Sequence, residues 1–451
     1  MKKISASVNM TEGNILKSML YFSFPILIGN LFQQLYNVTD TAVVGNLLGD
    51  NAIAAVGAAA PVYNLVISFA NGITNGFSVI IARFFGADNR EKMLKAISIS
   101  YILTLVISLI LTVVSLIGLD PLLKFLETPI DIIDDTRAYL RTILMFCVVT
   151  MFYNMFAGMF RAIGNSSMPL YFLIIATLIN VVLDYTFVKY LNMGVVGVGY
   201  ATVIAQSISV LLCLISILSK YKVLSFRKSY AKIEWGLTGD LLVTGFSMGL
   251  MLVVVSIGSV ALQNAVNSLG SKTITAHTAA RKFDELFMLP LGTLSMVGST
   301  FASQNFGAGK MDRVKKGIIT AILLGIGWGV FTFVFALIFS PTIVKALTGT
   351  SDPYVLNTAV RYITINTPFF AVLSILLILR SSLQGLGRKT VPIFASVIEL
   401  IAKFVAAIYI APIFGYLGIC FLEPAIWVIC AIIVLIEFMV FIGKEIKKAA
   451  V

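Results

Sequence analysis

Charge is what this 451-residue chain has least of. Only 12% of its residues are Asp, Glu, Lys or Arg, about half the share of a soluble domain. A soluble protein of this length covers its surface with polar groups, and 33 Lys+Arg with 21 Asp+Glu cannot do that. Histidine occurs once, as His277, which excludes a histidine metal site and any HExxH arrangement. Cysteine is scarce: Cys147, Cys213, Cys420 and Cys430 all lie in apolar runs and none forms a CxxC pair. They read as small apolar packing residues, not as a metal or redox site. The start, Met1-Lys2-Lys3, is basic, but no short apolar region with a small-residue cleavage site follows. The first apolar stretch carries Gln33, Gln34, Asn37 and Asp40 and reads as a retained span, not a signal peptide.

What is present is apolar sequence, 59% of the chain. It comes in runs long enough to cross a bilayer. Twelve are read, at 15–44, 52–82, 94–118, 138–160, 169–190, 195–219, 237–266, 273–303, 317–341, 357–379, 391–411 and 416–443. The runs are continuously apolar and do not alternate, so a helical bundle is predicted and a membrane barrel is not. Several exceed one perpendicular span and should tilt, kink or protrude. Pro25 predicts a kink in the first, because it removes a backbone donor and clashes with the preceding turn. The fold class expected is an all-α polytopic membrane protein.

The formal net charge of +12 then becomes a statement about topology. With the N-terminus in the cytoplasm and alternating spans, 23 basic residues fall inside and seven outside. The inside set includes Lys2, Lys3, Arg161, Arg380, Lys447 and Lys448. This asymmetry predicts both termini in the cytoplasm. The acidic segment Asp120 to Asp135 falls outside. The basic residues are spread over every inner segment, so no nucleic-acid footprint is expected.

The two halves repeat. Asn46-Leu47-Leu48-Gly49 returns as Asn267-Ser268-Leu269-Gly270, and Phe85-Gly86-Ala87 as Phe306-Gly307-Ala308, both at an offset of 221. Gly194 and Gly197 match Gly415 and Gly418 at the same offset, and Ile163-Gly164 with Pro169 matches Leu386-Gly387 with Pro392 at 223. Two six-span units of one orientation are implied: 1–219, a basic linker over 220–236, and 237–451. Such parallel repeats build a central cavity for alternating access. The glycine pairs are expected to let helices approach closely.

At this point the residues resemble a known family. Pro25, Tyr36-Asn37-Val38-Thr39-Asp40, Gly45, Gly49 and Ala54-Ala55 are similar to the first span and loop of multidrug and toxic compound extrusion (MATE) transporters. Phe85-Gly86-Ala87, Arg161-Ala162-Ile163-Gly164, Asn180 with Asp184, and Gly194 through Gln206 extend the resemblance over essentially the whole chain. It implies two six-helix lobes and a proton- or sodium-coupled exporter of organic cations and other amphipathic compounds. The chain is more similar to the DinF-type branch. That likeness implies a coupling cluster at Asp40, Asn154, Asn180, Asp184 and Thr202. The other large bacterial branch carries an acid on helix 7; here Met248 to Ser256 has none, which tells against a sodium site of that kind.

The residues support the same focus. An ionised Asp in a bilayer costs about 3 kcal/mol or more, so it is kept only if it pairs, faces water or titrates. Asp40 and Asp184 have no basic neighbour one turn away and are candidate proton carriers. Asn180 and Asp184 share a helix face, and Gln33, Tyr36, Asn37 and Asp40 form a polar stripe. Asp40, Asn180, Asp184 and Thr202 together also offer the oxygens a Na⁺ ion takes. Asn154 and Thr202 also suit plain interhelical hydrogen bonding. Tyr153, Met155 and Met159, beside Asn154, are candidates for an adaptable cavity wall.

In the second half, His277, Asp284, Glu285 and Glu399 are further cavity candidates. Arg281–Asp284, Arg281–Glu285, Lys282–Glu285 and Glu399–Lys403 have pairing spacing. His277 reads more readily as a hydrogen-bonded packing residue than as a pH-responsive one. Glu423, before Pro424, is expected near a helix start at the outer interface.

The reading is a secondary antiporter that exports lipophilic or cationic small molecules for H⁺ or Na⁺ by alternating access, with Pro25 as hinge. It needs no other cofactor, has no nucleic-acid partner, acts as a monomer and sits in a bacterial cytoplasmic membrane. A lipid-linked oligosaccharide flippase of the same superfamily is the alternative, and the few in-span basic residues argue against it. A membrane-embedded enzyme is a third reading. No metal cluster, nucleophile–base pair or phosphate loop supports it.

Overall fold

A computed structural model describes residues 8–449, and side chains as far as 445. Lys2, Lys3 and the side chains of Lys447 and Lys448 lie outside the described residues. Every regular element among those residues is helical. In order they are α1 (Ile15–Leu48), α2 (Asp50–Gly86), α3 (Arg90–Phe125), α4 (Ile133–Met145), α5 (Cys147–Ala162), α6 (Ser167–Tyr185) and α7 (Gly194–Ser219). Then follow α8 (Trp235–Asn267), α9 (Ser271–Gly307), α10 (Met311–Thr348), α11 (Pro353–Asn366), α12 (Phe370–Gly385), α13 (Thr390–Val405) and α14 (Ala411–Ala449).

Among the described residues ten stretches are long and apolar enough to cross a membrane, and eleven if α4 and α5, bent by 50°, count as one span. One of the ten runs Thr390–Glu445, 56 residues. As a straight helix it would be ~84 Å long, far beyond a hydrocarbon core of about 30 Å. Gly415, at φ 58 and ψ −148, breaks it. Two spans therefore replace one, which gives twelve. Apolar side chains face outward along the spans: Leu105, Leu109, Val113 and Ile117 form an exposed stripe four residues apart on α3. In water such a patch would aggregate; in lipid it is the solvated face.

The backbone repeats more faithfully than the sequence. Left-handed φ recurs at Gly49 and Gly270, Asp88 and Gly309, Glu127 and Gly349, Gly164 and Gly387, and Gly194 and Gly415. The fourth span of each half breaks at equivalent places, at Phe146 and at the tight turn Thr367–Phe369. The fifth span of each half ends in a five-residue π-helical segment, Thr186–Tyr190 and Ala406–Ile410.

The paired glycines do not act as expected. Gly194 and Gly415 supply the left-handed turn. A Cβ on Gly197 would lie 2.9 Å from Met193 Cβ, and one on Gly418 2.7 Å from Ile410 Cγ2. They let the turn fold back on the preceding span. Close helix approach falls to glycines the repeat does not share: a Cβ on Gly72 would sit 2.3 Å from Gly249 Cα, and one on Gly76 2.5 Å from Gly245 Cα, the small-residue contact of membrane helices.

By contacts the chain divides into two units. One holds Phe24–Val253 with the described residues up to Asn9, and the other holds the rest from Val254 with Met10–Ser23. The first has a core of Phe77, Phe156, Phe160 and Met151, and the second one of Phe283, Tyr362 and Ile363. In the second unit Met10 to Gly13 are held by their backbone carbonyls. Asn305 Nδ2 and Arg313 Nε donate to the Met10 carbonyl at 3.0 and 3.1 Å. Arg313 also donates to the Glu12 and Gly13 carbonyls at 2.6 and 2.8 Å, and Lys310 to that of Thr11 at 2.9 Å.

Candidate functional site

In the first unit, α1 carries Asp40 and α6 carries Asn180 and Asp184. Asn180 and Asp184 are fully buried, and Asp184 closes the last turn of α6 just before its π-helical extension. Such extra-residue turns swing a side chain out of the regular helical register. The Asp40 and Asp184 carboxyls are neighbours, with Asn180 beside Asp184 and Tyr63 and Tyr139 close to Asp40. Among the described residues no donor reaches either oxygen of Asp184, Oδ1 of Asp40 or Oδ1 of Asn180, and the Asn180 Nδ2 finds no acceptor. Two facing carboxyl groups bond to each other only if one carries a proton, or share a cation if neither does. Buried acids so placed are costly as structure alone.

Around this cluster the Tyr36 hydroxyl donates to Thr202 Oγ1 at 2.9 Å, and the Thr150 hydroxyl donates to Gln206 Oε1 at 2.7 Å. Gln33, Tyr36, Tyr153, Thr177, Thr202 and Gln206 line a cleft whose remaining wall is apolar, including Leu173 and Ala176. Of the sequence candidates, Gln33, Tyr36, Tyr153 and Thr202 come together here. Asn37 is exposed away from the cleft. Asn154 Nδ2 donates to the Thr150 carbonyl of its own helix at 3.0 Å. Met155 and Met159 are buried in the core, and Met155 accepts a hydrogen bond from the Thr104 hydroxyl. Pro25 lies within α1, which continues through it. Thr177, Tyr63 and Tyr139 had no sequence signal: they arrive from other helices, and no spacing rule links them to Asp40.

The second unit collects the remaining charges. Arg281 Nη1 binds both Glu423 oxygens, at 3.0 and 3.3 Å, and the Tyr362 hydroxyl donates to Glu423 Oε2 at 2.8 Å. Glu399 is held by Arg380 at 3.1 Å and by Lys403 at 3.0 Å. Glu423 is therefore not at an outer interface. It is 3% exposed within α14, because two cations and a phenol repay its burial. Arg380 likewise belongs to no inner loop; it is buried in α12. His277 is buried, with Nδ1 3.1 Å from the Tyr416 hydroxyl, and Tyr362 stands edge-on to it. Glu285 is exposed and pairs with Lys282 at 2.9 Å, apart from the buried set.

The MatE family model matches residues 25–186 and 247–409, one segment in each half. The chain belongs to the MatE family, and so is a multi-pass membrane transporter and not an enzyme. It is 29% identical over 306 residues to a "Probable multidrug resistance protein YpnP" of Bacillus subtilis, covering 68% of each chain. To a "Multidrug export protein MepA" of Staphylococcus aureus it is 21% identical, covering 90% of this chain and 89% of that one. Its fold matches an outward-facing multidrug resistance MATE transporter of the MOP superfamily with TM-score 0.91 at 21% identity, over 98% and 99% of the two chains. A MATE protein crystallised in a bent conformation gives TM-score 0.92 at 21% identity, over 100% of both chains.

Proposed function

We propose that the chain is a secondary antiporter that exports lipophilic or cationic small molecules in exchange for H⁺ or Na⁺, with Asp40 and Asp184 as the coupling site. The observation that carries this reading is the pairing of two intramembrane carboxyls whose buried oxygens no donor satisfies. They offer a place for one positive charge, as a proton or with the Asn180 amide oxygen as a hard-cation site. The adjoining cleft mixes aromatic, hydroxyl, amide and apolar lining, which suits amphipathic cargo. The names of YpnP and MepA support multidrug cargo.

In this reading the ion binds the pair in the outward-facing state and removes one of its negative charges. The change in charge alters what α1 can bond to, and α1 bends about Pro25 and expels the substrate. Coupling is the difference in free energy that ion and substrate impose on two conformations. The protein works as a monomer in a bacterial cytoplasmic membrane, its halves about 1–219 and 237–451 being lobes and both termini cytoplasmic, a reading the basic asymmetry supports. A lipid-linked saccharide flippase is disfavoured, because the in-span cations Arg281, Arg380 and Lys403 are committed to carboxylates and are not free to meet pyrophosphate.

The test is dye efflux from energised vesicles. Asp40→Asn and Asp184→Asn, expressed at normal level, should lose concentrative export. Export equal to wild type in both variants overturns the coupling site. Imposing the pH and Na⁺ gradients separately identifies the ion: its gradient alone drives efflux, and Asp184→Asn removes that response.

A further inference from the structure

The second unit holds buried charges that the Asp40–Asp184 mechanism leaves unused. Six side chains alternate in sign along a path across four helices: Asp284, Arg281, Glu423, Lys403, Glu399 and Arg380. Successive N···O separations are 3.9, 3.0, 3.9, 3.0 and 3.1 Å. Five of the six are almost wholly buried; Arg281 keeps 28% of its side chain exposed. The path is open at its two long separations. Arg281 is committed to Glu423, so Asp284, fully buried, has no donor on either oxygen among the described residues.

A buried carboxylate in that position has one cation, at 3.9 Å, and no hydrogen-bond donor among the described residues, and a buried pair held that loosely is unfavourable. A proton on Asp284 removes the problem without moving any other group. We propose that Asp284 is a second proton-binding site, and that Arg281 reads its protonation state. With Asp284 neutral, Arg281 stays on Glu423. When the O–H bond of Asp284 breaks, the proton leaves to water entering beside Arg281. Arg281 then closes the gap to Asp284, and Glu423 closes the other gap to Lys403. One proton thus exchanges partners between α9, which carries Asp284 and Arg281, and α13 and α14, which carry Lys403 and Glu423.

The charged and titratable surroundings are consistent with this. On α9 itself Asp284 has His277, Arg281 and the exposed Glu285, which Lys282 already pairs. Tyr362 of α11 donates to Glu423 Oε2 at 2.8 Å, and its hydroxyl also stands beside Asp284. From α14 come Glu423 and Tyr416, from α13 Glu399 and Lys403, and from α12 Arg380. α10 presents Trp328 and Phe335 to this part of α9, and its titratable groups lie at its two ends. The site shares no residue with the Asp40–Asp184 cluster, and α8 supplies no acid between Met248 and Ser256.

The experiment is infrared difference titration of the purified full-length protein, in an Asp40→Asn/Asp184→Asn background that removes the first-unit carboxyls. The expected result is a pH-dependent C=O band of a protonated carboxyl that persists in this background and disappears when Asp284→Asn is added. A spectrum unchanged by Asp284→Asn overturns the proposal. In the same background Glu423→Gln releases Arg281, so the band at neutral pH should weaken by half or more. An undiminished band there overturns the role of Arg281, and this arm also serves if Asp284→Asn does not fold. Neither result depends on how the Asp40 and Asp184 variants transport, so the two proposals fail separately.

Discussion

The Tyr36 hydroxyl donates to Thr202 Oγ1 at 2.9 Å, a bond between α1 and α7 that spans 166 residues of sequence. Tyr36 sits one turn before Asp40 on α1, so this bond fixes the part of the helix that presents the acid. Interhelical hydrogen bonds in membranes contribute about 0.6 kcal/mol on average and up to about 1.7.

Removing only that hydroxyl should therefore unsettle transport more than folding. Tyr36→Phe is expected to lower the melting temperature in detergent by at most a few degrees while changing initial efflux rates several-fold. Thr202→Val should reproduce it. The double variant should be no worse than either single one, as for two ends of one bond; additive losses would show that the residues act independently.

Gly72 and Gly57 lie on the same helix and should respond oppositely. A Cβ at Gly72 meets the Gly249 backbone, whereas one at Gly57 meets nothing within 4 Å. Gly72→Ala should cost roughly 1–3 kcal/mol, as overpacking does, and Gly57→Ala should be neutral or slightly stabilising. Thermal unfolding followed by size-exclusion chromatography separates them.

Glu399 and Glu285 make a second contrast. Glu399 pairs with both Arg380 and Lys403 in a nearly closed site, and Glu285 pairs with Lys282 in the open. Glu399→Gln is expected to destabilise by about 3–5 kcal/mol, Glu285→Gln by about 0–1 kcal/mol. Yield of folded protein and melting temperature check both.

Acid should weaken one exposed cap. Lys272 lies 2.7 Å from Asp352, whose other oxygen accepts the Tyr354 backbone N–H at 2.8 Å. The Lys272 ammonium, and then that N–H, hold the Asp352 carboxyl below the ordinary carboxylate range. The folded state thus favours the ionised form. The contribution is present above the unfolded value near about 4 and is lost as pH falls through the lower folded value. Asp352→Asn keeps a capping oxygen but no charge. Its melting temperature should be below wild type at neutral pH, and the two curves should converge in acid.

Much of this was legible in the sequence because bilayers are simple solvents. Continuous apolar runs gave all twelve spans, including the division at Gly415, and the constant offset exposed the repeat. Asp40 and Asp184 stood out because charge in lipid is rare. What remained hidden was pairing between distant helices. Glu423 looked peripheral because its partners, Arg281, Tyr362 and Lys403, lie as many as 142 residues away. Arg380 looked like a loop cation because Glu399 is on the next helix. Met155 and Met159 looked like cargo contacts because helical spacing shows which residues share a face, but not which neighbour that face meets. The π-helical turn after Asp184 has no sequence rule at all.

The backbone clamp on Met10 to Gly13 also bears on synthesis. Its donors, Asn305, Lys310 and Arg313, lie about 300 residues downstream. At translation rates of roughly 5–20 residues per second, Met10 to Gly13 wait on the order of tens of seconds for the groups that will hold them. Met10 to Gly13 are thus made long before the side chains that hold them.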